Sequence, residues 1–132
     1  MVKVPDEIRA LFTKQRVIPM ATADLKGLPN VVYVGMWYWS DDETLCVSDN
    51  YLNKTMKNMN ENPQVSFNCW ADGKSYQIKC KVSIERSGSR FEEIRRMATS
   101  GQRQFPGKAA VVCKVEEVFQ GNGGPGAGQK IA

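Results

Sequence analysis

Apolar and polar residues alternate without interruption in YQIKCKVSIE, residues 76–85. Because successive side chains of a strand point to opposite faces, this pattern predicts a strand with one buried and one solvated face. Alternating or continuous apolar runs predict five more strands, at residues 17–23, 29–40, 45–49, 64–71 and 109–119. Short turn segments such as DLKG (24–27) and ADGKS (71–75) separate several of them, which indicates antiparallel pairing.

Apolar residues at helical spacing predict three helices between these strands. The first covers residues 5–15, where Pro5 suits the first helical position. The third begins near Ser89, which has capping-box spacing to Glu92, and it extends to Gly101. Six strands joined mostly by hairpin-length turns, with helices at three points, predict a mainly β fold: a six-stranded antiparallel barrel with short flanking helices.

The second predicted helix lies in the segment SDNYLNKTMKNMNENPQV and poses an electrostatic problem. Asn50 or Asn53 would serve as its N-cap, which places Lys54 and Lys57 in the first turn, where cations oppose the helix dipole by about 0.3–1 kcal/mol. An anion held by Lys54, the Thr55 hydroxyl and free backbone N–H groups would reverse this balance, since a charge-assisted hydrogen bond contributes about 1.5–3 kcal/mol. Two interpretations stay open: a phosphate site, with Lys57 pointing away from it, or a solvated helix surface.

The length of the chain, 132 residues, predicts one domain with one core. We place this domain at residues 1–119 and treat the Gly-rich segment 120–132 as a C-terminal tail, either a flexible end or a strap over a cofactor of a second subunit. No apolar run reaches the roughly 20 residues of a membrane span, and the N-terminus lacks the apolar core of a secretory signal. A cytoplasmic protein without membrane contact is expected.

The chain contains no histidine, which excludes zinc or haem ligation by histidine and nucleophiles activated by histidine. Its four cysteines, Cys46, Cys69, Cys80 and Cys113, form no CxxC pair and lie among β-branched or aromatic residues. They are predicted to be reduced thiols packed as small apolar side chains, without a redox role. No metal site is predicted.

The net charge of +4 is too small to indicate a nucleic-acid-binding protein. Basic residues are enriched in residues 86–108, but a solvated helix face explains this equally well. The consecutive aromatic residues Trp37, Tyr38 and Trp39 would suit base stacking, yet the nearest charges, at residues 41–43, are acidic. We therefore expect no nucleic-acid partner and assign the exposed members of this trio to a homodimer interface.

The order of these elements resembles the FMN-binding split-barrel family, which includes pyridoxamine 5'-phosphate oxidase and small FMN-binding proteins of anaerobic bacteria. The resemblance covers residues 5–119. It rests on VIPMATADLKGLPNVVYVG, on the strand LCVSDNYLNKT that runs into Lys-Thr at a helix start, on NMNENPQV and on the strand QIKCKVSI. No single segment is diagnostic, but their order and spacing together favour the phosphate-site interpretation of Lys54 and Thr55.

The resemblance implies a six-stranded antiparallel split barrel and a homodimer with one FMN per subunit, bound in a groove at the dimer interface. The lysine and hydroxyl residue that hold the phosphate in this family match Lys54 and Thr55. Flavin-ring contacts come largely from the main chain of the second strand and of the loop before the phosphate helix, and the matching positions are Val34, Gly35, Met36, Ser48, Asp49 and Asn50. Gly35 interrupts a β-branched and aromatic run, which indicates close approach of a ligand or a bend in the barrel.

The expected function is that of an FMN-binding flavoprotein, either a flavin-dependent oxidoreductase or an electron carrier, with an unidentified electron donor or acceptor. Oxidation of a vitamin B6 ester is disfavoured, because the pyridoxal-binding arginines and histidine of the oxidase have no counterparts. No catalytic side chain can be named, and whether turnover occurs stays open. The alternatives are a non-catalytic module for a phosphorylated ligand and a deazaflavin-dependent reductase, whose cofactor also carries a phosphate.

Overall fold

The computed structural model describes all residues, 1–132. The chain forms three helices and seven strands in the order α1 (Asp6–Gln15), β1 (Ile18–Ala23), β2 (Pro29–Val34), β3 (Trp37–Asp41), β4 (Thr44–Ser48), α2 (Lys54–Glu61), β5 (Gln64–Ala71), β6 (Lys74–Glu85), α3 (Ser89–Thr99) and β7 (Ala110–Gln120). The mainly β, antiparallel architecture predicted from the sequence is confirmed. The longest helix has 11 residues, and none of the three helices could cross a lipid bilayer.

The strands form one antiparallel sheet in the order β2-β1-β5-β6-β7-β4-β3. A flat sheet with six strand spacings of about 4.8 Å would hold its edges about 29 Å apart. Yet β2 and β3 are the two edges, and only Gly35 and Met36 join them, a link that spans at most about 11 Å. The sheet must therefore curl into a half-barrel whose two edges meet at this link, which we call the β2–β3 corner.

The concave side of the sheet holds the main core. The alternation predicted for β5 and β6 is confirmed, because Val65, Phe67, Ile78 and Cys80 are all buried and pack in one cluster with side chains of α1 and α2. A smaller cluster lies on the outer side, where α3 covers β4 and β7. Both faces of β4 are therefore buried, which explains its uninterrupted burial along five residues.

The predicted strand 29–40 is two strands, which is why the sheet has seven strands rather than six. Arg16 holds the break between them: its guanidinium donates to the carbonyl oxygen of Gly35 (Nε–O 3.0 Å) and to that of Trp37. A Cβ at Gly35 would lie 3.3 Å from Cγ2 of Val17, tighter than an ordinary contact. Gly35 thus permits the close approach of Val17 at the bend, and its role toward a ligand stays a prediction.

The aromatic trio packs largely within the chain, but Tyr38 and Trp39 keep partial exposure, so the assignment of the exposed members to a dimer interface stays a prediction. Trp37 is fully buried and meets Trp39 edge to face at a centroid distance of 6.1 Å. Trp39 also packs edge to face on Phe12 of α1, with centroids 5.9 Å apart. Tyr38 points to the opposite side of β3 and packs in the cluster under α3, where burial raises the pKa of its phenol to about 12. Three consecutive strand residues therefore contribute to two clusters on opposite faces of one strand.

The predicted helix caps are only partly realised. Pro5 and Asn53 occupy the N-cap positions of α1 and α2, but Asn53 makes no side-chain capping bond. Ser89 is the first residue of α3 rather than its cap, because Gly88 (φ +94°) takes the N-cap position and accepts the backbone N–H of Glu92 (N–O 3.0 Å). The capping-box prediction is therefore wrong by one residue.

The Gly-rich tail folds back on the end of β7 instead of extending freely. The N–H of Gly128 donates to the carbonyl oxygen of Gln120 (2.8 Å), and that of Ile131 donates to Val118 (2.7 Å). A single β-bridge joins Phe119 to Lys130. Glycines with positive φ allow the chain to reverse direction here. The glycine-rich composition that suggested flexibility therefore forms a tight turn. A strap over a second subunit, and a domain boundary at residue 119, stay predictions.

Candidate functional site

A cavity of about 390 Å³ opens at the β2–β3 corner, and we call it the corner cavity. The end of β2, the end of β4 and the start of α2 converge there because β2 and β4 both finish at this side of the half-barrel. The cavity is lined by Val32, Tyr33, Val34, Gly35, Met36, Ser48, Asn50, Tyr51, Leu52, Asn53, Lys54 and Thr55.

The structure brings together seven of the eight residues that the sequence singled out, all but Asp49. Asp49 is buried and supports the loop from behind: its N–H donates to Ala109 (N–O 3.0 Å), its carbonyl accepts from Lys108 (2.9 Å), and its Oδ1 accepts from the N–H of Leu52 (3.2 Å). Its carboxylate therefore shapes the loop that precedes α2 rather than lining the cavity.

The start of α2 offers unpaired hydrogen-bond donors to this cavity. The first intrahelical bond runs from the N–H of Lys57 to the carbonyl of Asn53, so the N–H groups of Lys54, Thr55 and Met56 have no acceptor within the protein. No acidic residue lies in the first turn, and Lys54 has no carboxylate within 4.0 Å. Positive backbone ends and a free ammonium group thus converge at one end of the corner cavity.

A buried polar network under α2, which the sequence reading missed, orients the Thr55 hydroxyl. Nδ2 of Asn30 donates to Oγ1 of both Thr22 and Thr55, at 3.1 Å each, and Nδ2 of Asn58 donates to Thr22 (3.1 Å). Because Thr55 accepts from Asn30, its own hydroxyl proton is left for a ligand in the cavity. An asparagine at position 30, in step with the inward-facing Val32 and Val34, is the signal that would have revealed this network.

At the other end of the corner cavity, Asn50 ties three segments together. Its Oδ1 accepts from the Ser48 hydroxyl (2.7 Å) and from the N–H of Gly107 (3.0 Å), while its Nδ2 lies 3.5 Å from the sulfur of Met36. Gly107 has φ +50°, and a Cβ there would lie only 2.8 Å from Cβ of Ala98. The segment after α3 is therefore held closely against the site at a position that only glycine can occupy without strain.

Lys57 does not line the corner cavity, where the phosphate site is predicted. It lines a neighbouring polar cavity of about 290 Å³, which we call the Lys57 cavity, together with Lys54, Asn30 and Asn58. Lys54 stands between the corner cavity and this one, since it lines both. Whether Lys57 points away from a bound phosphate stays a prediction, because Lys57 lies outside the corner cavity but lines a cavity that Lys54 shares.

All four cysteines are free and buried, as predicted, and none lines the corner cavity. Burial raises the pKa of the Cys69 thiol to about 11 and raises those of Cys46, Cys80 and Cys113 as well. At neutral pH these groups are thiols and not nucleophilic thiolates. The site consequently offers hydrogen bonds, apolar contacts and positive charge, but no thiolate or imidazole.

The sequence model of the family described as pyridoxamine 5'-phosphate oxidase matches residues 4–121. An uncharacterized protein of Methanocaldococcus jannaschii is 30% identical over 138 aligned positions, which cover 100% of this chain and 90% of that protein. Sequence similarity therefore extends over all the elements that build the corner cavity.

Two solved structures illustrate the shared architecture. HupZ of Group A Streptococcus superposes with a TM-score of 0.81 at 25% sequence identity, covering 95% of this chain and 99% of the HupZ chain. An FMN-binding protein of Syntrophomonas wolfei superposes with a TM-score of 0.75 at 18% identity, covering 85% of this chain and 82% of that one. The curled half-barrel is common to all three proteins.

Proposed function

This chain belongs to the pyridoxamine 5'-phosphate oxidase family, and from that premise we propose that it is an FMN-binding flavoprotein, acting as an oxidoreductase or an electron carrier. The observation that carries the proposal is the start of α2, where three free N–H groups and the unpaired Lys54 ammonium face a cavity. A helix N-terminus of this kind suits a phosphate, because the dipole and the donors act in the same direction.

The corner cavity fits the remaining parts of a flavin mononucleotide by its chemistry. Apolar side chains of β2 and of the loop before α2, such as Val32 and Leu52, suit an aromatic ring system. Polar groups at the far end, on Ser48 and Asn50, suit a ring edge that carries hydrogen-bonding atoms. Backbone at Gly35 and Met36 completes this end, as the resemblance to the family leads one to expect.

The residues of this chain would bind the cofactor, orient it and exclude water from it. None of them is assigned a proton-transfer role. A bound flavin supplies the hydride or electron transfer itself. Lys54 and the α2 start hold the phosphate, and their fixed positive field stabilises negative charge on the ligand. Thr55, whose hydroxyl oxygen accepts from Asn30 (3.1 Å), would donate its own proton to a phosphate oxygen. Without histidine or an accessible thiolate, no side chain of the cavity is assigned as a general acid or base.

The Lys57 cavity offers space for the tail of a second candidate, a deazaflavin cofactor of the F420 type. This tail is polar, and the cavity beyond Lys54 is polar too, lined by Lys57 and also by Asp24 and Glu61. In either case the protein is an oxidoreductase if the cofactor is turned over and a binding module if it is not. The buried, reduced cysteines support a cytoplasmic location.

Titration of the purified protein with FMN and, in parallel, with F420 tests this proposal. We expect saturable quenching of flavin fluorescence at micromolar FMN, whereas tighter binding of F420 would assign the site to the deazaflavin. Failure of both cofactors to bind would contradict the proposal. Addition of NADH or NADPH in air to the loaded protein then tests for turnover, since consumption of many equivalents of nucleotide would show an oxidoreductase that takes electrons from that donor.

We propose that the protein is a homodimer that pairs through the outer faces of β2, β1 and β5. Strand register places exposed Val31 and Tyr33 on the same face as Trp70, and their exposed fractions are 64%, 73% and 69%. The outward positions on these strands carry no charge; they are Pro29, Val31, Tyr33, Pro19, Ala21, Ala23, Gln64, Ser66, Asn68 and Trp70. An uncharged, partly aromatic surface next to the cavity suits self-association.

Val31→Asp is expected to dissociate this dimer. In a two-fold interface the new carboxylates face an apolar partner surface and each other, so the dimer dissociation constant should rise at least about tenfold. Sedimentation velocity at micromolar protein measures it, and Ser83→Asp, which adds the same charge to the outer face of β6, is the control. A monomeric wild-type protein, or a Val31→Asp variant that dimerises normally, would show that another surface or none is used.

A further inference from the structure

Arg16 carries a positive charge at the β2–β3 corner that no acidic group neutralises. It follows α1 directly, with φ +68°, and has no carboxylate within 4.0 Å. Its guanidinium lies 4.2 Å from the centroid of the Trp37 ring, and its own carbonyl oxygen accepts from the indole N–H (2.6 Å). Burial lowers the pKa of this guanidinium, but arginine remains protonated at neutral pH. Contacts within the chain therefore hold the charge of Arg16 in one place.

The peptide unit between Gly35 and Met36 receives this charge on one side and offers a free donor on the other. Nε of Arg16 donates to the carbonyl oxygen of Gly35 (3.0 Å), whereas the N–H of Met36, in the same peptide unit, has no acceptor within the protein. No peptide bond of the chain is cis, so the C=O and the N–H of this unit point in opposite directions. Gly35 and Met36 line the corner cavity and Arg16 does not. The carbonyl oxygen thus faces away from the cavity, and the Met36 N–H faces toward it.

A guanidinium on the carbonyl oxygen makes the N–H of the same peptide unit a stronger donor. The positive charge draws electron density through the conjugated peptide, and linked hydrogen bonds polarise one another. A second bond from the guanidinium to the carbonyl oxygen of Trp37 fixes its orientation. Because charge-assisted bonds are roughly twice as strong as neutral ones, Arg16 polarises this peptide more than an uncharged donor would. The strength of a donor inside the corner cavity is therefore set by a residue outside it.

We propose that Arg16 is a positioning residue for a bound flavin, which acts through the Gly35–Met36 peptide to present a strengthened Met36 N–H to the ring and to favour the reduced form. The inference rests on the proposed function, because it concerns the cofactor proposed for the corner cavity. Reduction adds electron density to the ring system, so a strong donor binds reduced flavin more tightly than oxidised flavin. The reduction potential of the bound flavin is then higher with Arg16 than without it. A purely structural Arg16 would change the affinities of both redox forms equally.

The test measures the reduction potential of the FMN-loaded protein by equilibration with a reference dye of known potential. In Arg16→Gln the side-chain amide can still donate, but without charge. The affinity of reduced relative to oxidised FMN should therefore fall about tenfold, equivalent to a potential about 30 mV lower for a two-electron couple. Arg16→Lys restores the charge and should recover most of this loss. Arg9→Gln is the matched control, since Arg9 lies in α1 and donates to a carbonyl oxygen outside the corner, that of Val4 (3.1 Å).

An unchanged potential in Arg16→Gln, no recovery in Arg16→Lys, or an equal loss in Arg9→Gln would overturn the proposal. A second measurement needs no variant and so does not depend on the folding of Arg16→Gln. In NMR spectra of the wild-type protein, the amide proton resonance of Met36 should move downfield when FMN binds, and an unchanged resonance would also overturn the proposal. Failure of the wild-type protein to bind FMN would refute the proposed function and this inference with it, whereas FMN binding with an unchanged potential in Arg16→Gln refutes the role of Arg16 alone.

Discussion

Lys54→Ala is expected to weaken FMN binding by about 10- to 150-fold, equivalent to about 1.5–3 kcal/mol for one charge-assisted hydrogen bond. The Lys54 ammonium group has no carboxylate partner and stands at the uncapped start of α2. Its removal should therefore change the stability of the fold little and weaken the binding of a phosphate strongly. Fluorescence titration measures the change. Thr55→Val should cost less, about 0.5–1.5 kcal/mol of binding energy, because a neutral hydroxyl is the weaker donor.

Riboflavin, which lacks the phosphate, provides the decisive comparison for Lys54. It should bind the wild-type protein weakly and be nearly indifferent to Lys54→Ala. Lys57 is unsuitable as the control because it lines the neighbouring cavity with Lys54, and Lys74→Ala, at the exposed turn between β5 and β6, replaces it. Equal losses for FMN and riboflavin would return Lys54 to the role of a solvated surface residue.

Trp37→Ala is expected to lower the free energy of unfolding by about 3–5 kcal/mol, the range for truncating a buried aromatic residue. Trp37 is fully buried, its indole N–H donates to the carbonyl oxygen of Arg16 (2.6 Å), and the Arg16 guanidinium lies 4.2 Å from its ring centroid. Loss of the ring also frees Arg16, which holds the β2–β3 corner through Gly35. The variant should therefore show both a lower free energy of unfolding and an altered corner cavity.

Urea unfolding measures the effect of Trp37→Ala, and Leu25→Ala is the control, because Leu25 is 74% exposed in the turn between β1 and β2. The control should lie within about 0.5 kcal/mol of the wild type. A loss below about 1 kcal/mol in Trp37→Ala would show that the Arg16–Trp37 contact is not what closes the half-barrel. FMN titration of the folded fraction then reports whether the corner has changed shape.

Local periodicity predicted most elements of this fold because each strand of the half-barrel has one buried face. The pattern failed where burial ceased to alternate: the apolar run around Gly35 and Met36 concealed the corner, since residues on both sides of it are equally apolar. Likewise, the three adjacent aromatic residues were expected to divide between the core and an exposed surface, whereas α1 and α3 pack on opposite faces of β3 and cover most of them. Such coverage depends on tertiary packing that no local window contains.

The cavity-lining positions were predicted better than the contacts behind them. Lys54 and Thr55 follow from the chemistry of a helix start, and the positions matching the family's ring contacts line the cavity apart from Asp49. Asn30 and Gly107 were missed because their partners, Thr55 and Asn50, are distant in sequence. Contacts of this kind, which orient the cavity-lining residues, form only in the assembled fold and leave no local pattern in a single sequence.

The pairing of β4 with β7 has a consequence for the order in which the protein folds. The loop before α2 is anchored by Lys108 and Ala109, and β4 is clamped by β7, so the corner cavity depends on residues that are synthesised well after the loop itself. Nascent chains that end before β7 expose the apolar faces of β4 and cannot hold the loop of Asp49 in place. Cofactor capture should consequently follow the synthesis of β7, because the loop before α2 and β4 both need this distant strand as their support.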